Sequence, residues 1–269
     1  MITIGSDPEL FLVRGSKFIS AVGKCDGTKE KPFEWQKGFN IHNDNVAMEF
    51  NVPPARNREQ FVTNHHQSLV YCRSIAKKFG CNLKIVGDAL FTEDELDTPE
   101  AKVFGCDPDF NAWTLSENPP PQSDEPLLRT AGGHIHIGGV PDFTFRDKVE
   151  LVRALDLFVG IPLALLEPDS RRNELYGKPG AMRNKPYGVE WRTPSNFWLR
   201  KTSTIGGIFN MVYSIVENMD HFIPIMRSVA DDLELLNSPV KYKKWAQRAI
   251  RPDGSLYMGE VHGPLFQGV

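Results

Sequence analysis

Cysteine is scarce in this chain: Cys25, Cys72, Cys81 and Cys106 are scattered with no Cys-x-x-Cys pair, which argues against a zinc knuckle and favours reduced thiols. No apolar run approaches the roughly 20 residues of a membrane span. The start, Met1-Ile2-Thr3-Ile4-Gly5, lacks a basic region followed by an apolar core, so no secretory signal is expected and a cytoplasmic location is the default. Basic excess is also missing. A net charge of -3 gives no broad footprint for nucleic acid, although a small nucleotide is compatible with it. There is no Gly-x4-Gly-Lys-Ser/Thr loop and no Gly-x-Gly-x-x-Gly before a helix, which disfavours Walker-type and Rossmann nucleotide sites. What the chain does have is 41% hydrophobic residues over 269 positions, enough for a large globular core.

The pattern reads as mixed α and β. Ile2 to Val13 and Lys17 to Val22 read as strands around Arg14-Gly15-Ser16, Val46 to Val52 as a strand stopped by Pro53-Pro54, and Leu83 to Val86 as a brief one. Arg129 to Gly138 and Gly188 to Pro194 read as two more. Asn57 with Gln60 opens a helix carrying Phe61, Leu69, Cys72, Ile75 and Phe79 on one face and closed by Gly80. Thr144 with Asp147 caps another, which Pro162 bends or ends, and Thr204 to Met219 forms a third with Ile205, Ile208, Val212, Ile215 and Met219 inward. The proline-rich stretch 117–126 reads as a surface excursion, and residues 169–188 as a polar loop. Gly105-Cys106-Asp107-Pro108-Asp109 echoes Gly5-Ser6-Asp7-Pro8-Glu9, but five residues are too few to claim duplication.

Four strand-like segments carry polar residues two apart: Asp7 and Glu9, Glu49 and Asn51, His134 and His136, Glu190 and Arg192. In a strand such residues share a face, roughly 7 Å apart. Singly, each has an ordinary structural reading as a turn acid, a satisfied histidine or a cross-strand ion pair. Glu49 is the exception, because a carboxylate amid Val46, Ala47, Met48, Phe50 and Val52 costs several kcal/mol to bury without a cation. The glycines around the histidines, Gly132-Gly133 and Gly138-Gly139, suit a strand that lets another group approach its backbone. Together the pairs make poor core and a good site for metal ions and phosphate.

These segments resemble, in the same order, the motif strands of glutamine synthetase and glutamate-cysteine ligase: Gly5-Ser6-Asp7-Pro8-Glu9-Leu10-Phe11, Met48-Glu49-Phe50-Asn51, Gly132-Gly133-His134-Ile135-His136, and Gly188-Val189-Glu190-Trp191-Arg192-Thr193-Pro194. The chain most resembles the short phage-type carboxylate-amine ligases, or amidoligases, of that superfamily. The resemblance spans residues 5–196. It implies an α+β, glutamine synthetase-like catalytic fold, with a curved, mainly antiparallel sheet and flanking helices. It also implies one domain over 1–269, its region 197–269 helical and part of the same domain. The implied activity is amide-bond formation through an acyl phosphate, using ATP and Mg2+ or Mn2+. Glu9 and Glu49 would hold one metal, and Asp7, His134 and Glu190 the other. His136 and Asn51 would face the nucleotide, Arg192 would contact phosphate or substrate carboxylate, and Arg171, Arg172 and Arg183 would stabilise the transferring phosphoryl group. Asp7 replaces the commoner Glu, no third carboxylate for the first metal is identified, and Asp44 is a candidate substrate or base residue. The implied partners are a small-molecule or peptide carboxylate and an amine acceptor, with an oligomer compatible and the host cytoplasm the location if the chain is phage-encoded. A guanidino or carboxylate kinase on the same fold, a metal-dependent hydrolase using His-x-His, and a catalytically silent binding module are the alternatives. The hydrolase needs further His and Lys ligands downstream, where only His221 and His262 follow, neither in a motif.

Overall fold

A computed structural model describes residues 1–102, 109–120, 124–167 and 170–230. Its strands are β1 (Thr3–Ser6), β2 (Glu9–Arg14), β3 (Lys17–Ile19), β4 (Phe33–Gln36), β5 (Phe39–Asp44), β6 (Ala47–Ala55), β7 (Asn82–Lys84), β8 (Asp88–Leu90), β9 (Phe110–Asn111), β10 (Ser116–Glu117), β11 (Leu128–Thr130), β12 (Ile135–Gly138), β13 (Ala181–Lys185) and β14 (Gly188–Trp191). The α-helices are α1 (Arg58–Lys78), α2 (Pro99–Lys102), α3 (Phe145–Leu155), α4 (Ile161–Leu166), α5 (Arg172–Leu175), α6 (Thr202–Glu217) and α7 (Met219–Ala230). The chain is thus α+β, built on a large sheet in the order β10-β9-β13-β14-β12-β1-β6-β2-β3, with β5 also on β6 and β7 also on β2. All its pairings are antiparallel. None of the described helices is long and apolar enough to cross a membrane.

Alternation along the central strands decides which face carries chemistry. Ile4, Leu10, Leu12, Met48, Phe50, Val52, Ile135, Ile137, Val189 and Trp191 join one core with α1, α3, α6 and α7, through residues such as Phe61, Leu69, Leu155, Ile208 and Phe222. Each such side chain contributes about 1.5–3 kcal/mol when fully buried. Successive strand side chains point to opposite faces, so Glu9, Glu49, His136 and Glu190 are turned from that core. α1 begins where Asn57 accepts from the Gln60 amide at 2.8 Å and ends at Gly80, whose φ of 66° suits glycine. α3 has the full Thr144/Asp147 capping box.

Several elements depart from the reading of the sequence. The long first strand is two, because Pro8 lacks an amide donor and the ladder is interrupted at Asp7-Pro8; both pieces lie along β6, β1 also pairing with β12 and β2 with β3 and β7. Likewise Arg129 to Gly138 divides into β11, paired with β8 in a separate two-stranded sheet, and β12 in the main one. The polar loop 169–188 contains α5 and β13, whose register sets Arg183 opposite Glu190. β4 and β5 carry too few apolar residues to show as strands alone. Pro162 does not end its helix: α3 widens into a π turn over Asp156–Gly160, and the helical run continues through Pro162 in α4. Phe79 is 39% exposed rather than on the buried face of α1. Cys25, Cys72 and Cys81 are free thiols. Cys106, the 105–108 part of the echo and residues 231–269 lie outside the described residues.

Candidate active site

Sheet register assembles the motif residues into two rows. Across β13, β14, β12 and β1 run Arg183, Glu190, His136 and Gly5 as direct partners. Across β5, β6 and β2 run His42, Glu49 and Glu9. Asp7, in the break between β1 and β2, links them. Its Oδ1 is 3.3 Å from His134 Nδ1 and its Oδ2 3.1 Å from His136 Nε2.

The row through Glu190 is rich in protein cations. Arg192 Nη1 donates to Glu190, Lys185 Nζ lies 2.9 Å from its other oxygen, and Arg183 Nη1 is 3.6 Å away. Burial and the charge of Asp7 push Glu190 upward, but Arg192, His134 and His136 outweigh them and leave it at about 2. Burial likewise raises Asp7, and the two histidines still bring it well below the ordinary range.

The row through Glu49 is less evenly balanced, with Lys29 Nζ 3.0 Å from Asp44. Burial, followed by Asp7, Glu9 and Asp44, holds the Glu49 carboxyl well above the ordinary range. Burial raises Glu9 as well, only partly opposed by His134. His42 Nε2 lies 3.5 Å from Glu49, yet burial lowers its pKa, so it stands beside Glu49 as a neutral ring. Asp44 closes this group. One oxygen each from Glu9, Asp44 and Glu49 lie within 4.8 Å of one another, and one donor atom each from Asp7, His136 and Glu190 do the same.

Both groups fit a divalent cation. A 4.8 Å spread suits donors around an ion with bonds of roughly 2.0–2.6 Å, and oxygen-rich sets with one imidazole at most favour Mg2+ or Mn2+ over soft metals. Asp7 Oδ1 and His136 Nε2 are buried without an aligned hydrogen bond, although each stands at ion-pair distance from its neighbour. Asn51 lies beyond Glu49 on β6, opposite Asn40.

The three loop arginines separate in space. Arg183 reaches Glu190. Arg172 is buried, with Nη1 and Nη2 donating to the carbonyls of Thr193 and Arg192, so it buttresses the end of β14. Arg171 pairs at 2.6 Å with Glu125, both about two-fifths exposed. Beside the metal-fitting groups opens a cleft bordered by Glu9, Asp44, Asp109, His134, Arg172 and Arg192. Asp109 accepts from Arg192 Nε at 3.2 Å and from the Asn118 amide at 2.7 Å.

Several supporting residues are not evident in the sequence. Asp156, fully buried, accepts from Trp113 Nε1 and the Gly180 amide on one oxygen and from Trp191 Nε1 and Thr193 Oγ1 on the other, tying the π turn to both sides of Arg192. Burial raises its pKa to about 6 despite those donors. Asn196 Nδ2 donates to the Glu9 carbonyl at 2.7 Å. Their only signals, an acid in an apolar helix stripe and an Asn after Pro194-Ser195, are common. The glycines before His134 have a packing reason: a side chain at 132 would occupy the space of the His134 ring, and one at 133 would meet the Ser195 carbonyl.

Residues 128–235 match the family model of the phage phiEco32-like COOH-NH2 ligase type 2. That span holds His134, His136, Arg171, Arg172, Arg183, Glu190 and Arg192, and supports a phage-type carboxylate-amine ligase, an enzyme that forms C–N bonds. No curated protein matches the chain.

Proposed function

We propose that this protein is an ATP-dependent carboxylate-amine ligase that works through an acyl phosphate, as an α+β enzyme of the glutamine synthetase-like type acting in the cytoplasm. One observation carries the reading: two oxygen-rich donor groups meet at Asp7, and one of them is ringed by Arg192, Lys185 and Arg183. Divalent metal supplies charge neutralisation for the nucleotide phosphates. Glu9, Glu49 and Asp44 hold one ion, with Asp44 filling the third carboxylate position; Asp7, Glu190 and an imidazole hold the other. Arg192 and Arg183 stabilise the charge that grows as a phosphoryl group moves to the substrate carboxylate, where preorganised donors are most effective. Arg192 is held for this by Asp109 and Glu190, so its fork arrives already oriented. The cleft beside Asp44 and Asp109 receives the carboxylate and amine substrates, and a carboxylate there takes a proton from the amine, whose ordinary pKa is near 10.

ADP release is measured with Mg2+, ATP and a metabolite pool divided into amine-containing and amine-depleted fractions. A ligase releases ADP only when a carboxylate and an amine are both present. Release that continues without any amine indicates a kinase, and AMP instead of ADP overturns the acyl-phosphate route.

A further inference from the structure

We propose that His136, held by Tyr187, supplies the imidazole of the Asp7–Glu190 metal site, while His134 serves the cleft beside Glu9; this rests on the ligase reading above. The two histidines differ in what their second nitrogen meets. The His134 ring occupies the space a side chain at position 132 would take, with Nε2 against Gly132 and Nδ1 toward Asp7. The described donor group with Asp7 and Glu190 takes its ring nitrogen from His136. His136 is the direct partner of Glu190 across β12 and β14, it shares a group of donor atoms with Asp7 and Glu190, and its Nε2 is 3.1 Å from Asp7 Oδ2.

Its other nitrogen, Nδ1, lies 3.0 Å from the Tyr187 hydroxyl, and the two rings stack at 17° with centroids 5.9 Å apart. Tyr187 sits in the two-residue turn between β13 and β14, 46% exposed, where core packing gives no reason for an aromatic ring. To bind a cation, Nε2 must offer its lone pair, so the ring proton must sit on Nδ1. The Tyr187 oxygen accepts that proton's hydrogen bond, while its own hydrogen turns to solvent. Such outer partners orient a ligating histidine and typically contribute 10- to 100-fold in metal affinity. Tyr187 is therefore a positioning residue.

The test is Mn2+ binding to the full chain without nucleotide, by calorimetry, on wild type, Tyr187→Phe, His136→Asn and His134→Asn. The phenylalanine keeps the stack and removes only the oxygen. Wild type is expected to bind two Mn2+; Tyr187→Phe should weaken one of them about 10-fold or more with an unchanged melting temperature. His136→Asn should abolish that same site, and His134→Asn should retain it. In the Mg2+-loaded protein, imidazole 15N shifts should report the Nδ1–H form of His136 in wild type and a mixture of forms in Tyr187→Phe. Two wild-type-like sites in Tyr187→Phe, or loss of the site in His134→Asn but not His136→Asn, overturns the proposal alone. Absence of Mn2+ binding by the wild type overturns the ligase reading with it.

Discussion

Glu190 and Glu49 are both buried carboxylates on the polar face of one sheet, yet they balance their charge in opposite ways. Glu190 is surrounded by Arg192, Lys185 and Arg183 and is held at about 2. Glu49 has Glu9, Asp44 and a neutral His42 for neighbours and is held well above the ordinary range. In the first group the protein supplies its own countercharge. In the second, Lys29 pairs with Asp44 at 3.0 Å but offsets little of the charge around Glu49, so a bound ion should stabilise the carboxylate trio more than the Glu190 group. The cations around Glu190 are in excess of what one carboxylate needs, which suits them to phosphate.

The sharpest way to break this contrast is to neutralise each acid in turn. Glu190→Gln removes the carboxylate shared by Arg192, Lys185 and Arg183, leaving Arg192 its pairing with Asp109, and should destabilise the metal-free protein by about 3 kcal/mol, read by denaturant unfolding. It should also lower ligation about 10²-fold or more per folded molecule, because it removes the charge and keeps the size. A metal-free protein no less stable than wild type would show that Glu190 is not paired as described.

Asp156→Asn comes next. It turns an amide NH2 toward two donors where a carboxylate oxygen accepted them, and should cost about 2–3 kcal/mol. Arg192→Lys keeps the charge and loses the two-directional fork between Asp109 and Glu190, so activity should fall about 10²-fold with a smaller change in melting temperature. If both variants lose stability and neither loses activity, the Glu190 group is scaffold.

Glu49→Gln should do the reverse of Glu190→Gln: the metal-free protein gains about 1–2 kcal/mol, while Mn2+ binding at the trio and ligation are lost. A destabilised metal-free variant would show that Glu49 already has its countercharge.

The smallest effect is in pH dependence. A carboxyl raised on folding binds its proton more tightly in the folded state, so the stability difference it makes falls as pH rises from the unfolded value, about 4.3 for Glu, to the raised one. Melting of the metal-free protein should therefore decline over that window because of Glu49, with Asp156, raised to about 6, adding to it. Saturating Mn2+ should flatten the decline. Glu190 and Asp7 act with the opposite sign: their contribution is present above the unfolded values, about 4, and is lost as pH falls from there toward the lowered ones, about 2 for Glu190. An increase in stability across the upper window would contradict the account of Glu49.

Much of this was legible along the chain because strand alternation is a local rule. The spacing of Glu49 from Met48 and Phe50, or of Glu190 from Val189 and Trp191, already put acids on one face and apolar groups on the other. The helix caps at Asn57 and Thr144 were equally local. Asp44 was visible only as a polar residue in Asn43-Asp44-Asn45; the short β5–β6 hairpin brings it near Glu49, and Glu9 joins them because β2 pairs with β6, a register no short window contains. The same holds for Arg171, Arg172 and Arg183: one loop in sequence, but an exposed ion pair, a backbone buttress and a neighbour of Glu190 in space.

The sequence by itself determined the acids, the histidines, their face and the strands that carry them, since side-chain direction follows from backbone period. Only the tertiary structure decided which of two histidines lies opposite Glu190, which carboxylates share a group, and where countercharge is ample or sparse. Those depend on distances between strands far apart in the chain, and electrostatic energies inside a protein change steeply with such distances and with burial.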